Sequence, residues 1–66
     1  MKAVSLDLGS VTCGVAISNT GLLAQPVKTI RFAPEDYDEA VDKIMAYLKE
    51  EMPDVVVMGY PLLEND

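Results

Sequence analysis

Asp7 is the residue in this chain whose type and setting most directly suggest chemistry. It is the only acid inside the apolar run that opens the sequence, and it stands two residues before Gly9-Ser10, where the chain must turn. A carboxylate at a strand end faces a cleft, and its charge is costly to bury without a partner. Two readings stay open for it. A hard divalent cation held by carboxylate oxygen and water is one; a carboxylate that accepts hydrogen bonds from the amides of the following turn is the other. Gly14 lies across the expected hairpin, where a missing side chain would let a phosphate or metal approach the sheet closely, although a bend or bulge would also explain it. Gly59 ends the last apolar run, Val55-Val56-Val57-Met58, and parallel strands of open α/β sheets present ligands at such ends. A loop stiffened by Pro61 accounts for Gly59 equally well. Glu64 and Asp66 are further carboxylates near the chain terminus, where acids are usually solvated, and the acids of the helix, Asp38, Glu39, Asp42 and Glu50, read as a solvated surface.

Four extended segments and one helix must position these residues. Lys2 to Leu8 puts Val4, Leu6 and Leu8 on one face and Ala3, Ser5 and Asp7 on the other. Cys13 to Ser18 repeats the pattern, with Val15 and Ile17 opposite Gly14 and Ala16, and pairs back as a hairpin. Asn19-Thr20-Gly21 signals a turn into a third segment, Leu22 to Phe32, whose Pro26 cannot donate to a ladder and suggests an edge position. Pro34-Glu35-Asp36 is expected to open a helix. Tyr37, Val41, Ile44 and Leu48 form its apolar stripe, Glu39 and Lys43 an i,i+4 pair, and Pro53 its end. Asp54 to Met58 reads as a strand covered on both faces, near the sheet centre. A strand, helix and further parallel strand require a right-handed crossover, which places this strand beside the first. The expected fold is α/β: a βββαβ unit in one domain, residues 1–66, with sheet order 3-2-1-4 and the second strand antiparallel.

Composition bounds what such a unit can do. With 66 residues, no Trp and a single Phe, the core must come from aliphatic side chains, and a chain of this size buries a modest share of its surface. The lone Cys13, with no His in the chain, provides neither an internal disulfide nor a zinc site and reads as a small buried apolar residue. No apolar run reaches the roughly 18 residues of a membrane span and Met1 leads straight into a strand, so a cytoplasmic, non-membrane protein is expected. The net charge of −6 repels a phosphate backbone, which by itself argues against nucleic-acid binding.

The segment Ser5-Leu6-Asp7-Leu8-Gly9-Ser10 followed by Gly14-Val15-Ala16-Ile17-Ser18 resembles the opening hairpin of the YqgF (RuvX-like) family. Leu23-Ala24-Gln25-Pro26-Val27-Lys28-Thr29-Ile30 is similar to that family's third strand, and Gly59-Tyr60-Pro61-Leu62 to its glycine-leucine-proline-leucine loop. The resemblance covers the whole chain but about the first half of a family member. It implies a ribonuclease-H-like nuclease acting on pre-16S rRNA or Holliday-junction-type DNA, with several carboxylates holding Mg²⁺ or Mn²⁺. Asp7 matches the first of those carboxylates, as catalytic residue and metal ligand, while Gly9, Ser10, Gly14 and Gly59 would accommodate the bound group. The others would lie beyond Asp66, which leaves this chain inactive by itself. Val11 and Thr12 stand where the family usually carries a basic residue, and Leu63 where asparagine is common, which weakens the expected contact with nucleic acid. Two alternatives remain. Actin-like ATPases open on a similar turn, so Gly9-Ser10 would then cradle ATP phosphate. A non-catalytic module would instead pair through its open sheet into a homodimer.

Overall fold

The structure, a computed structural model, describes residues 1–20 and 23–59. Its elements are β1 (Ala3–Leu8), β2 (Thr12–Ser18), β3 (Gln25–Arg31), α1 (Tyr37–Glu51) and β4 (Val55–Gly59). They form a mixed four-stranded sheet in the order β3-β2-β1-β4, with β2 antiparallel to both β1 and β3, and β4 parallel to β1. The expected βββαβ unit and its strand order are therefore observed, with β3 on an edge. Gly21 of the expected turn, Leu22, the Tyr60-Pro61-Leu62-Leu63 loop and the acids Glu64 and Asp66 lie outside the described residues.

Alternation in β1 and β2 decides which face carries the core. Val4, Leu6, Cys13 and Val15 are almost wholly buried, joined by Ile30 and Phe32 from the third strand and its exit and by Ala40, Ile44 and Tyr47 from α1. Cys13 is thus the buried small residue that its isolation in the sequence suggested. Among the described residues no helix is long and apolar enough to cross a membrane.

The helix differs from expectation at its start and in its buried face. Glu35 has φ 58°, so Pro34-Glu35 forms a turn ahead of the helix and not its first residues. Asp36 is the N-cap: its carboxylate accepts the Glu39 amide at 3.1 Å, while Glu39 Oε1 accepts the Ala33 amide at 2.9 Å. The buried positions are Ala40, Ile44 and Tyr47, so Ile44 of the expected stripe is buried and Leu48 packs against the core, while Ala40 and Tyr47 take the places expected of Tyr37 and Val41. Small Ala40 lies at the contact with the sheet, whereas Tyr37 and Val41 are about half exposed. Tyr37 tilts against Phe32 at a centroid separation of 5.9 Å. Glu39 and Lys43 form the expected i,i+4 pair at 2.9 Å.

The last strand corrects a second expectation. An unbroken apolar run is the pattern of a doubly covered strand, yet β4 lies on the sheet edge with all five residues exposed. Helix α1 packs toward β3 and leaves β4 uncovered among the described residues. Its entry is held by paired bonds, the Lys2 amide to Asp54 Oδ2 and the Asp54 amide to the Lys2 carbonyl, each at 2.8 Å. The Lys2 ammonium adds contacts to the Glu51 carboxylate at 2.6 Å and the Glu51 carbonyl at 2.8 Å, tying the helix end to the start of the sheet.

Candidate functional site

Register puts Asp7 at the middle of one row across the sheet. It is opposite Gly14 on β2 and beside Gly59 on β4, and Gly14 is in turn opposite Thr29 on β3. The row Thr29, Gly14, Asp7, Gly59 lies on the face that α1 does not cover, because directly paired residues point to the same side of a sheet. Asp7 thus has a glycine on both flanks. A Cβ at Gly14 would sit 3.8 Å from the Asp7 Cβ, and one at Gly59 would sit 3.9 Å from Asp7 Oδ1. The absent side chains leave an open groove of about 390 Å³, lined among others by Ser5, Asp7, Gly14, Thr29, Val57 and Gly59. Asp7 and Gly59 both stand at carboxyl ends of parallel strands, where open α/β sheets place ligands.

The Asp7 side chain is exposed, so the desolvation expected of it does not arise. Among the described residues its carboxylate takes no hydrogen bond and no ion pair. The amide of Gly9, which could have capped it, donates instead to the Thr12 carbonyl at 2.7 Å. Ser10 and Val11 turn their carbonyls toward the segment before α1, accepting the Glu35 amide at 2.8 Å and the Phe32 amide at 3.0 Å. The structure therefore brings Gly14 and Gly59 to Asp7, while Gly9 and Ser10 stand in a turn closed by the Gly9–Thr12 bond and tied to the segment before α1, with the Gly9 amide unavailable to a phosphate.

Behind Asp7, on the covered face, burial pushes the Cys13 thiol above its ordinary range. The Asp7 charge adds to that shift and a hydrogen bond with the Asp7 backbone partly offsets it. The thiol is neutral and directed into the core.

A single free carboxylate in an open groove fits one ligand position of Mg²⁺ or Mn²⁺, since Mg²⁺ is commonly held by one or two carboxylates together with water and substrate phosphate. No group of three His, Cys, Asp or Glu side chains suited to a metal occurs among the described residues. Thr29 and Ser5, which share the face with Asp7, did not emerge from the sequence as site residues. Their parity could have revealed Ser5; Thr29 is hidden by a register shift opposite Val15 and Ala16.

Comparison with known proteins gives one consistent answer. The family model described as RuvX, Holliday junction resolvase, matches residues 1–66. A protein of Onion yellows phytoplasma (strain OY-M) named "Putative pre-16S rRNA nuclease" is 39% identical over 64 residues, covering 97% of this chain and 42% of its own length. A protein of Staphylococcus carnosus with the same name is 39% identical over 66 residues, covering 98% of this chain and 46% of its own. One from Mycoplasma capricolum is 38% identical over 63 residues, with 96% and 43% covered. The chain thus spans less than half the length of these relatives. No solved structure matches it.

Proposed function

The chain belongs to the RuvX family of Holliday junction resolvases, and we propose that it forms the N-terminal part of a cytoplasmic, metal-dependent nuclease that hydrolyses phosphodiester bonds in structured nucleic acid. Pre-16S rRNA and branched DNA are the substrates that the names of the matching family and relatives suggest. The observation that carries the reading is Asp7, exposed and without a protein partner between two glycines on an open sheet face.

Asp7 is the residue that would hold Mg²⁺ or Mn²⁺. When bound, the metal neutralises charge on the phosphoryl oxygens and favours attack by water. The chain's own part is to keep a carboxylate uncommitted, to leave room beside it through Gly14 and Gly59, and to offer the Ser5 and Thr29 hydroxyls to phosphate oxygens. One carboxylate does not complete such a site, so this reading requires further acids from outside the described residues. Calorimetric titration with Mn²⁺ tests this: wild type binds saturably, and Asp7→Asn does not while its melting temperature is unchanged. Equal binding by Asp7→Asn, or its failure to fold, contradicts the assignment.

The exposure of β4 favours self-association as a property compatible with this activity. Val55, Val56, Val57 and Met58 are each 40–51% exposed on a strand with a free hydrogen-bonding edge among the described residues. Sedimentation at high micromolar concentration is expected to show a homodimer, and a monomer would contradict it.

A further inference from the structure

The chain's acidity raises the question of what draws a phosphate backbone to the open face. Its bases are Lys2, Lys28, Arg31, Lys43 and Lys49. Lys2 is paired with Glu51 and Lys43 with Glu39. Lys28 lines the groove at Asp7 through its stretch of β3, but its ammonium stands over the Tyr47 ring at 5.1 Å on the helix side, and Lys49 lies in the last turn of α1, on the same side. Arg31 is different. It is paired with Thr12, two positions along β2 from Gly14, and its neighbour Ile30 is buried opposite Cys13 on the covered face. Alternation therefore places the Arg31 side chain on the face of Asp7. It is exposed, and among the described residues its guanidinium has no ion-pair or hydrogen-bond partner; its carbonyl is occupied by Lys43 Nζ at 2.7 Å.

We propose that Arg31 is a phosphate-binding residue of the open face, seating the nucleic-acid backbone beside the phosphodiester at Asp7. Two strand spacings and two residues along a strand separate their Cα atoms by roughly 12 Å, a span that an arginine side chain and one step along a sugar-phosphate backbone cover together. The strip between them is made of Thr12, Gly14 and Thr29, with hydroxyl donors at its margins and no side chain at its centre. A guanidinium suits the task because its planar fork grips phosphate oxygens in two directions. The contact reads backbone and not sequence, so it positions a strand without selecting bases. It rests on the nuclease reading for its purpose but not for its measurement.

The test is fluorescence anisotropy of the 66-residue chain with a labelled DNA four-way junction and a labelled RNA hairpin, in EDTA, across a salt series. Arg31→Gln is expected to weaken binding about tenfold for both probes, the scale of one charge-assisted hydrogen bond, and to reduce the slope of log K against log salt by about one. Arg31→Lys restores the slope, and Lys49→Gln changes neither quantity. Wild-type affinity and slope in Arg31→Gln, equal losses in Lys49→Gln, or no binding of either probe by wild type overturns the proposal. Because metal is absent, a failure at Asp7 in the Mn²⁺ titration leaves this result standing, and the reverse is equally true.

Discussion

The two faces of the sheet are built from the same strands and do opposite work. On the covered face Val4, Leu6, Cys13 and Val15 each expose at most 2% of their surface beneath α1. On the other, one residue along, Asp7 is exposed, Gly14 has no side chain, and Thr29 lies open to solvent. Period-2 alternation thus sets packed and uncommitted positions side by side within single strands: one residue supports the fold and its neighbour is left without a packing role. A residue on the open face escapes the packing demands that govern its neighbour, so a partnerless carboxylate is tolerated there.

The largest effect expected from this division is at Leu6. Leu6→Ala removes a buried side chain at the centre of the core, a change that costs about 2–5 kcal/mol. Natural domains hold about 0.05–0.15 kcal/mol per residue, so the variant should lose its cooperative melt by circular dichroism. An intact melt would mean that the covered face is not the seat of stability. Thiol labelling sharpens the contrast. Cys13, buried and with its thiol pushed up, should react with iodoacetamide at least roughly tenfold more slowly than a Ser5→Cys probe placed on the open face of a Cys13→Ala chain. Equal rates would show that the two faces are equally accessible.

At Gly14 the outcome should split. A Cβ there meets Asp7 Cβ at ordinary contact distance, 3.8 Å, so Gly14→Val should leave stability unchanged or raise it by up to about 1 kcal/mol. The same branched side chain crowds Asp7 and should weaken Mn²⁺ binding about 10–100-fold, the scale seen for changes just outside a metal's ligands. Loss of folding would show that Gly14 serves the sheet and not the groove.

The smallest effect belongs to Glu39, away from both faces. Hydrogen bonds from the Ala33 amide and Lys43 hold its carboxyl below the ordinary value of 4.5. A depressed carboxyl contributes stability that is complete above its unfolded pKa and is lost as pH falls through the folded one. Thermal melts of wild type and Glu39→Gln should therefore differ slightly near neutrality and converge in acid, and a gap that widens in acid would contradict the sign.

Much of this arrangement was legible in the residues. Alternation in Lys2–Leu8 and Cys13–Ser18, with one right-handed crossover, was enough for the strand order and for placing Gly14 across the hairpin from Asp7, whereas the direct pairing of Asp7 with Gly14 and Gly59 is set by a register that alternation alone does not give. The helix was harder because two apolar stripes compete in it, and the choice of Ala40, Ile44 and Tyr47 over Tyr37 and Val41 depends on how closely the helix can approach the sheet. Met52 takes φ 49° at the helix C-cap, a place where glycine is the usual signal, so that end was marked only by Pro53. β4 misled because an apolar run records what a strand is suited to pack against, whereas its place in the sheet is set by pairing with β1. Arg31 and Thr29 stayed hidden because the irregularity opposite Val15 and Ala16 inserts a residue into β3 and reverses its parity.

Paramagnetic broadening of backbone amide signals by sub-stoichiometric Mn²⁺ tests the central claim most directly, because it reads position and not merely affinity. The account predicts strong broadening at Asp7, Gly14 and Gly59, weak broadening at Ala40 and Ile44 across the sheet, and none in Asp7→Asn. Broadening centred on the acidic face of α1, at Asp38 or Asp42, or a pattern unchanged by Asp7→Asn, would contradict it.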